Sequence, residues 1–447
     1  YLDKTVKTIY NKIMKPIYDA IVRYSREKPA RFHMPAHFGV RDEGLYASAP
    51  FDVTELGFSD NLQNPSGIIA ESEKQCAKIY GAKRSFYLTS GSTTGIFVAL
   101  SAIKKITDEV IVARASHKSV YAAVRLLGLT PRYIPASFDQ NGIPLPVTPK
   151  DVKNAIEKYP SAGAVIITSP NYFGMASDPR AISGITSAYD RLLVVDEAHG
   201  AHFPFAGLSA YSFAKTADVS VTSLHKTLPV YSGGAVINCN NECLFDKIAA
   251  LRADLHTTSP CYLTLASMDY ALDEFRADNG KKYAALYEKV TGLKNSLGAE
   301  FVGNNDYTRL VCRIGDEGFS ALSRNGVVPE MRFNDLAVFI LSPVNASRTE
   351  EIRAALRGVA VREKAKVLPY PTPVSGKACG EGTWLTPNDA VGHTALREVG
   401  AYPPGIPVVA YGETITREIA DVLQKSDVFG FVNDRIYVTI DKTTEVI

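Results

Sequence analysis

The chain has 447 residues, of which 46% are hydrophobic and 21% charged, a composition typical of a globular protein with more than one domain. Its 49 basic and 47 acidic residues leave a net charge of +2, which offers no basic field for nucleic acid. No apolar run is long enough to span a membrane, and no signal peptide is predicted. The six scattered cysteines predict free thiols in the cytoplasm.

The first half of the chain predicts an α/β architecture. Apolar residues at helical spacing over 5–26 predict an amphipathic helix in an N-terminal arm, residues 1–50. From about residue 51, strand and helix patterns alternate, which predicts a doubly wound, mostly parallel sheet in a large domain covering 51–270. The predicted strands lie near 86–89, 110–114, 132–134, 164–168, 191–195, 218–223 and 234–239.

A smaller α+β domain is predicted for residues 271–447. A long helical pattern at 265–297 leads into it, and a proline-rich connector follows at 367–374. The segment 402–407 is a rigid turn that either frames a site or simply connects two elements. The remaining predicted elements are strands at 310–313, 336–341 and 438–440 and a helix at 349–356.

A stretch of small and hydroxylated residues, Tyr87–Gly95, precedes an apolar segment that reads as a helix. Free backbone N–H groups and hydroxyls at a helix start bind anions. Ser92 and Thr93 are therefore candidate phosphate ligands. The alternative is an ordinary turn or helix cap, for which the same residue types are common.

Two further strands end in side chains suited to holding an aromatic ring. The strand near 110–114 leads to His117, which could lie flat on a ring or could be a capping or surface histidine. The strand near 191–195 ends at Asp196. The nearby His199 and His202 suggest a metal site only weakly, because they are three residues apart and no His-Glu-x-x-His motif is present.

Lys226 follows the strand near 218–223, with Ser223 and His225 beside it. A lysine at the mouth of a sheet is poorly solvated, which lowers the pKa of its amine and leaves it free to form a Schiff base with an aldehyde. Asp196 lies about 30 residues upstream on another strand end. Pyridoxal phosphate enzymes need this pairing, because a carboxylate keeps the pyridine nitrogen protonated while a lysine carries the aldehyde.

These segments, in this order, resemble the ornithine/lysine/arginine decarboxylase family of fold-type-I pyridoxal phosphate enzymes, and most of all its shorter bacterial members without an N-terminal regulatory domain. The resemblance covers nearly the whole chain and includes the segments 32–39, 52–56, 167–174, 256–263 and 401–407. It implies a homodimer in which residues 257–259 reach the neighbouring subunit's phosphate.

The resemblance also implies roles for individual residues. Lys226 would carry the cofactor, Asp196 would pair with its pyridine nitrogen, and Lys226 or His225 would return a proton to the substrate. The ring would lie between His117 and Ala198. The phosphate would be held by Ser92, Thr93, Ser223 and His225.

Several positions depart from the family pattern. Phe38 replaces a lysine, Ser232-Gly233 stands where Thr-Gln is common, and His393 replaces an arginine. Arg397 stands where the family has a carboxylate, and this cation should disfavour a basic substrate tail, unless the side chain faces solvent.

We therefore expect pyridoxal phosphate-dependent decarboxylation of an amino acid to its amine and carbon dioxide. Arginine or lysine, then ornithine, are the expected substrates. The alternatives are a different amino acid, or a lyase, racemase or transaminase that breaks another bond at Cα. A third hypothesis is a cofactor-binding regulator without turnover. No metal, nucleic acid or membrane partner is expected.

Overall fold

The structure, a computed structural model, describes residues 15–40, 43–359, 381–401, 405–424 and 428–440. The predicted segments 5–14, 367–374 and 402–404 lie outside the described residues. The described part of the predicted N-terminal helix is α1 (Pro16–Glu27), which buries Ile17 and Ile21. Its first turn is held by Asp269, which accepts hydrogen bonds from the backbone N–H groups of Ile17 and Tyr18.

A seven-stranded sheet forms the centre of the molecule, with strand order β1-β7-β6-β5-β4-β2-β3. The pairs between β2 and β6 are parallel, whereas β7 runs antiparallel to both of its neighbours. The prediction of a mostly parallel sheet is confirmed, and every predicted strand is present within two residues of its expected ends. The strands are β1 (Arg84–Leu88), β2 (Glu109–Ala113), β3 (Thr130–Ile134), β4 (Ala164–Thr168), β5 (Leu192–Asp196), β6 (Val219–Ser223) and β7 (Ala235–Cys239).

Helices cover both faces of this sheet, as the doubly wound pattern requires. One core cluster joins the sheet to α3, α4 and α7, and two others join the opposite face to α5 and α6 and to α1, α2, α8 and α9. The helices are α2 (Ile68–Tyr80), α3 (Gly91–Lys104), α4 (Lys118–Leu126), α5 (Pro149–Lys158), α6 (Pro179–Ala188), α7 (Phe245–Leu255), α8 (Tyr262–Asp278) and α9 (Lys281–Ser296). Because β5 is covered on both faces, its side chains from Leu193 to Asp196 are buried.

The prediction of one continuous helix over 265–297 is wrong. The chain forms α8 and α9, separated by Asn279 and Gly280, which have φ angles of 53° and 79°. This left-handed backbone cannot continue a right-handed helix, and asparagine and glycine are the residues that adopt it most readily. The Asn-Gly pair is thus a helix stop inside an otherwise helical pattern.

The described residues after α9 form three smaller antiparallel sheets. The first, β10-β11-β9-β8, carries the predicted strands at 310–313 and 336–341, and the predicted helix at 349–356 is present. The elements are β8 (Glu300–Phe301), β9 (Arg309–Arg313), α10 (Gly315–Arg324), β10 (Met331–Phe333), β11 (Leu336–Ile340), α11 (Thr349–Leu356), β12 (Gly382–Leu385), β13 (Val399–Ala401), β14 (Pro407–Val409), α12 (Arg417–Leu423), β15 (Val428–Phe429) and β16 (Ile436–Thr439). The three-part division of the chain stays a prediction, and its boundary at residue 270 falls inside α8.

Two ion pairs connect the C-terminal segment to the large sheet. Arg114, directly after β2, donates two hydrogen bonds of 2.8 Å to Glu413, and both side chains are buried. Arg125 in α4 makes a similar two-point contact of 3.1 Å with Glu398. Within the described ranges, no helix combines the length and apolar character needed to cross a membrane.

Candidate active site

A cavity opens at the carboxyl ends of β4 and β5, where the doubly wound fold places its ligands. It brings together five of the eight predicted site residues from four parts of the chain. The lining residues are Ser92, Ala115, His117, Thr168, Asn171, Tyr172, Asp196, Ala198, His199, Lys226 and Ile406. Thr93, Ser223 and His225 do not line it.

Asp196 is the last residue of β5 and is buried at the carboxyl-terminal end of that strand. Its carboxylate accepts a hydrogen bond of 3.2 Å from the backbone N–H of Ala198. Burial raises the pKa of Asp196, and the charge of Lys226 and the Ala198 N–H act in the opposite direction. A carboxylate in this position is stabilised by any cation that enters the cavity.

Lys226 reaches the same cavity from the turn that follows β6. The backbone N–H groups of Leu224 and His225 both donate to the carbonyl of Gly234, which folds the chain back after the strand. Burial lowers the pKa of the Lys226 amine, and Arg309 lowers it further, while the charges of Asp196 and Glu330 raise it. The net shift is downward, which makes the uncharged, nucleophilic form of the amine easier to reach.

His199 contacts this lysine, since its Nε2 lies 3.2 Å from Lys226 Nζ. Its Nδ1 lies 3.4 Å from the Nη2 of Arg309, a buried arginine of β9. Burial holds the pKa of His199 well below its usual value, and Lys226 and Arg309 add to this effect. The imidazole is therefore neutral at physiological pH.

His117 caps α4, and its Nδ1 accepts a hydrogen bond of 3.2 Å from the backbone N–H of Ser119. Burial lowers the pKa of His117 to about 4, with Lys226 and Lys118 adding to the shift. A neutral imidazole at the cavity wall can lie against an aromatic ring. Both alternatives considered for this residue, a cap and a site residue, are thus compatible with its position.

The predicted phosphate ligands lie around the start of α3 and the end of β6. Ser92 lines the cavity at the first turn of α3, whereas Thr93 is exposed. The Ser223 hydroxyl is buried and has no hydrogen-bond partner among the described residues. His225 points its Nδ1 at the carbonyl of Gly234, 2.9 Å away.

Gly233 fixes the loop that precedes α3. Its φ angle is 94°, and an added Cβ would lie 2.3 Å from the carbonyl oxygen of Thr89. Its own carbonyl accepts a hydrogen bond of 2.8 Å from the N–H of Gly91. Only glycine fits this close approach, so the departure from the family pattern at 233 has a backbone cause.

The other departures lie away from the cavity lining. Phe38 adopts a left-handed turn and is 41% exposed. His393 is buried and contacts the Thr439 carbonyl through its Nδ1 at 2.7 Å. Arg397 is half-buried and makes no ion pair with a described residue, so its effect on selectivity stays a prediction.

The residues present fit pyridoxal phosphate. The cavity offers an amine of lowered pKa, a buried carboxylate, and a neutral imidazole on the wall. The Thr168 hydroxyl lines the same cavity, is buried, and has no partner among the described residues. Because a buried hydroxyl without a partner is costly, Thr168 is placed to receive a hydrogen-bond partner from a ligand in the cavity.

Sequence reasoning missed four residues around the lysine. His199 was considered only as a metal ligand, and Thr168 and Tyr172 lay in a segment recognised without a role. Thr168 ends β4 in register with Asp196, so its position at a strand end was a signal that could have identified it. Arg309 lies inside a strand far along the chain, where nothing local indicates contact with His199.

Comparisons with known proteins agree with the geometry of the site. Residues 15–296 match the family described as Orn/Lys/Arg decarboxylase, major domain. The chain belongs to this family. The uncharacterized protein YaaO of Bacillus subtilis is 30% identical over 455 residues, covering 92% of this chain and 94% of its own. An arginine decarboxylase of Bacillus anthracis is 26% identical over 462 residues, covering 92% of each chain.

Solved structures of the family share the fold. The lysine decarboxylase LdcF of Francisella novicida superposes with a TM-score of 0.79 at 16% identity, covering 97% of this chain and 82% of that one. The constitutive lysine decarboxylase of E. coli gives a TM-score of 0.75 at 17% identity, covering 96% and 82%. The expected fold-type-I architecture is confirmed.

Proposed function

We propose that the protein is a pyridoxal phosphate-dependent decarboxylase that converts a basic amino acid to its amine and carbon dioxide. The observation that carries the proposal is the presence of Lys226 and Asp196 in one cavity, with the lysine's pKa lowered by burial. Membership in the Orn/Lys/Arg decarboxylase family supports it, as do relatives named arginine decarboxylase and lysine decarboxylase.

The cofactor would be held at both of its ends. The Lys226 amine would bind its aldehyde, and the Asp196 carboxylate would pair with its protonated ring nitrogen. His117 and Ala198 would enclose the ring, while Ser92, Thr93, Ser223 and His225 would bind the phosphate. The unpartnered hydroxyls of Ser223 and Thr168 support this assignment. When bound, pyridoxal phosphate supplies an electron sink for the charge left at Cα after carbon dioxide leaves.

Two side chains are positioned for proton transfer near the reacting atoms. His199 Nε2 lies 3.2 Å from Lys226 Nζ and can hold or move a proton there. Lys226 can then deliver that proton to the substrate Cα. The other predicted proton donor, His225, is hydrogen-bonded to the Gly234 carbonyl through its Nδ1. We therefore assign delivery of the proton to Lys226.

The experiment begins with the visible spectrum of the purified protein and with borohydride reduction, followed by peptide mass analysis. We expect a yellow protein and a cofactor-sized mass increase on the peptide that contains Lys226. Arginine, lysine, ornithine and neutral amino acids are then tested for release of carbon dioxide and the matching amine. Loss of the α-hydrogen without carbon dioxide release would indicate a racemase or transaminase instead, and a colourless protein that takes up no cofactor would overturn the proposal.

We also propose that the protein is a cytoplasmic homodimer acting in polyamine metabolism. The exposed residues Phe32 and Met34, at 94% and 70% exposure, and the exposed segment 257–259 offer surface for a second copy. The five described cysteines are free thiols, as in reducing compartments. An active protein that sediments as a monomer would contradict the dimer.

A further inference from the structure

A buried polar cluster that does not line the cavity is joined to the lysine through His199. It consists of His202, which follows β5, and of Asp306, Thr308 and Arg309, which lie at the start of β9. Each of these four side chains is at most 1% exposed. The function proposed above assigns a role to none of them.

Asp306 holds this cluster together by accepting hydrogen bonds. Its Oδ1 accepts a bond of 2.9 Å from the Thr308 backbone N–H and one of 2.7 Å from the Thr308 hydroxyl. Nε2 of His202 lies 3.1 Å from both Asp306 Oδ1 and Thr308 Oγ1. Because an ionised carboxylate only accepts hydrogen bonds, this nitrogen of His202 carries a proton.

The cluster reaches the lysine through Arg309. Its Nη1 lies 3.4 Å from Thr308 Oγ1, and its Nη2 lies 3.4 Å from Nδ1 of His199. Nε2 of His199 in turn lies 3.2 Å from Lys226 Nζ. A continuous chain of hydrogen-bonding side chains therefore joins Asp306 to the reactive amine.

Asp306 supplies the negative charge of the cluster, and Arg309 supplies a permanent positive charge. Burial opposes the ionisation of Asp306, but its hydrogen-bond partners and the Arg309 guanidinium lower its pKa to about 2. The charge of Asp306 also acts on Tyr283 and Tyr307, but burial raises the pKa of both phenols and keeps them neutral. A buried guanidinium is stable only where a negative charge offsets its own.

We propose that Asp306 is a positioning residue for Lys226, which balances the charge of the buried Arg309 guanidinium and fixes it beside His199. This inference rests on the proposed function and deepens it, because the Lys226 amine is the group that would bind the cofactor. Arg309 disfavours a proton on Lys226, and Asp306 limits how strongly it does so. Asp306 does not line the cavity and acts through other side chains.

The competing explanation is structural, because Asp306 also holds the turn before β9. Its backbone N–H and that of Asn305 donate to the carbonyl of Gly174, at 3.1 and 3.0 Å. Loss of this turn would admit water and return the Lys226 amine toward its usual, higher pKa. Loss of the charge alone would lower that pKa further, because the charge of Arg309 would then be unopposed. The direction of the change separates the two explanations.

Asp306→Asn removes the charge and keeps an oxygen that can accept both Thr308 hydrogen bonds. The measurement is the rate at which acetic anhydride acetylates Lys226 in the cofactor-free protein, followed across pH by peptide mass. Only the uncharged amine reacts, so the profile gives the midpoint of its titration. We expect this midpoint to fall by about 0.5 to 1 pH unit. Arg309→Gln should move the same midpoint upward.

Asp335→Asn is the matched control. Asp335 is a buried aspartate between β10 and β11 that forms an ion pair with Arg313 and does not belong to the cluster. Its replacement should also lower the stability of the protein but should leave the Lys226 midpoint unchanged. The labelling needs neither cofactor nor substrate, so its result is independent of whether the proposed function is correct.

If Asp306→Asn does not fold, the double variant Asp306→Asn/Arg309→Gln removes both charges at once. Its midpoint should lie below that of Arg309→Gln alone and near that of the wild type. An unchanged or raised midpoint in Asp306→Asn would overturn the inference. A double variant with the same midpoint as Arg309→Gln would overturn it as well.

Discussion

Lys226 Nζ lies 3.2 Å from Nε2 of His199, and the opposite nitrogen of that imidazole faces a guanidinium. Because a guanidinium only donates hydrogen bonds, Arg309 makes Nδ1 of His199 an acceptor and leaves the proton on Nε2. That N–H points at Lys226, whose amine must be uncharged in order to accept it. The arrangement therefore selects the reactive form of the lysine.

Arg309→Gln should raise the pKa of the Lys226 amine, because it removes a cation that opposes the charged lysine. The measurement is the rate of imine formation when pyridoxal phosphate is added to cofactor-free protein, followed by absorbance across pH. We expect the midpoint of this pH profile to move upward by about one pH unit. Arg309→Lys retains the positive charge and should restore most of the wild-type profile. Identical midpoints in wild type and Arg309→Gln would show that Arg309 does not act on the lysine.

His117 should make the cofactor-free protein less stable in mild acid. Its folded-state pKa is about 4, whereas an unfolded chain takes up the same proton near pH 6.5. Between these values the unfolded chain binds more protons, so the free energy of unfolding falls as the pH falls. From pH 7 to pH 5 the loss due to this residue is about 2 kcal/mol.

His117→Asn tests this expectation while keeping an oxygen that can cap α4. Urea unfolding at pH 7 and pH 5 should give a smaller drop in stability for the variant, by about 2 kcal/mol. An equal drop in the two proteins would mean that His117 is not held neutral in the folded state.

Thr168→Val should weaken cofactor binding without harming the fold. The substitution removes a buried hydroxyl that has no partner among the described residues and keeps nearly the same shape, so the stability of the cofactor-free protein should not fall. The affinity for pyridoxal phosphate should drop by about five- to tenfold if a ligand atom occupies the free hydrogen-bonding position. Fluorescence titration with the cofactor measures this affinity.

Thr222→Val is the control for that experiment. Thr222 has another buried hydroxyl without a partner, on β6, and does not line the cavity. Its replacement should leave the cofactor affinity unchanged. Equal effects of the two variants would argue against a direct contact between Thr168 and the ligand.

Gly233→Ala should be one of the more damaging glycine substitutions in the chain. The left-handed backbone costs about 1 kcal/mol for alanine, and the contact of 2.3 Å with the Thr89 carbonyl requires the loop before α3 to move. We expect a loss of stability of about 2 kcal/mol or more, together with weaker binding of inorganic phosphate and of the cofactor.

Gly207→Ala isolates the backbone contribution, because Gly207 has a similar φ of 73° and open space around it. Thermal unfolding of the two variants should differ clearly, with Gly207→Ala the milder change. If both melt at the same temperature, the close approach of Gly233 to Thr89 is not restrictive.

The large sheet was predictable from the sequence because it depends on local patterns. The presence of Lys226 and Asp196 in one cavity was predictable for the same reason. Each strand is a short apolar run, and parallel strands place the residues that follow them at one edge. Asp196 ends β5 and Lys226 follows β6, and these two strands are neighbours in the sheet. The same argument would have identified Thr168, which ends β4.

The remaining contacts depend on the return of distant segments, which no local pattern records. Arg309 lies in β9, more than a hundred residues after His199 in the sequence. Glu330 directly precedes β10 of the same smaller sheet. Arg114 resembles a surface arginine in the sequence and is buried only because Glu413 folds against it. The break between α8 and α9 is different, since Asn279-Gly280 was a visible stop signal that the apolar pattern masked.

The buried contact between Arg114 and Glu413 makes the C-terminal segment part of a single folding unit with the large sheet. Detaching that segment would remove the carboxylate of Glu413 and the carbonyls of Pro407 and Val408, which pair with the Arg114 guanidinium. Heating should therefore produce one calorimetric peak instead of two. The strand end that carries His117 and the last quarter of the chain would melt together.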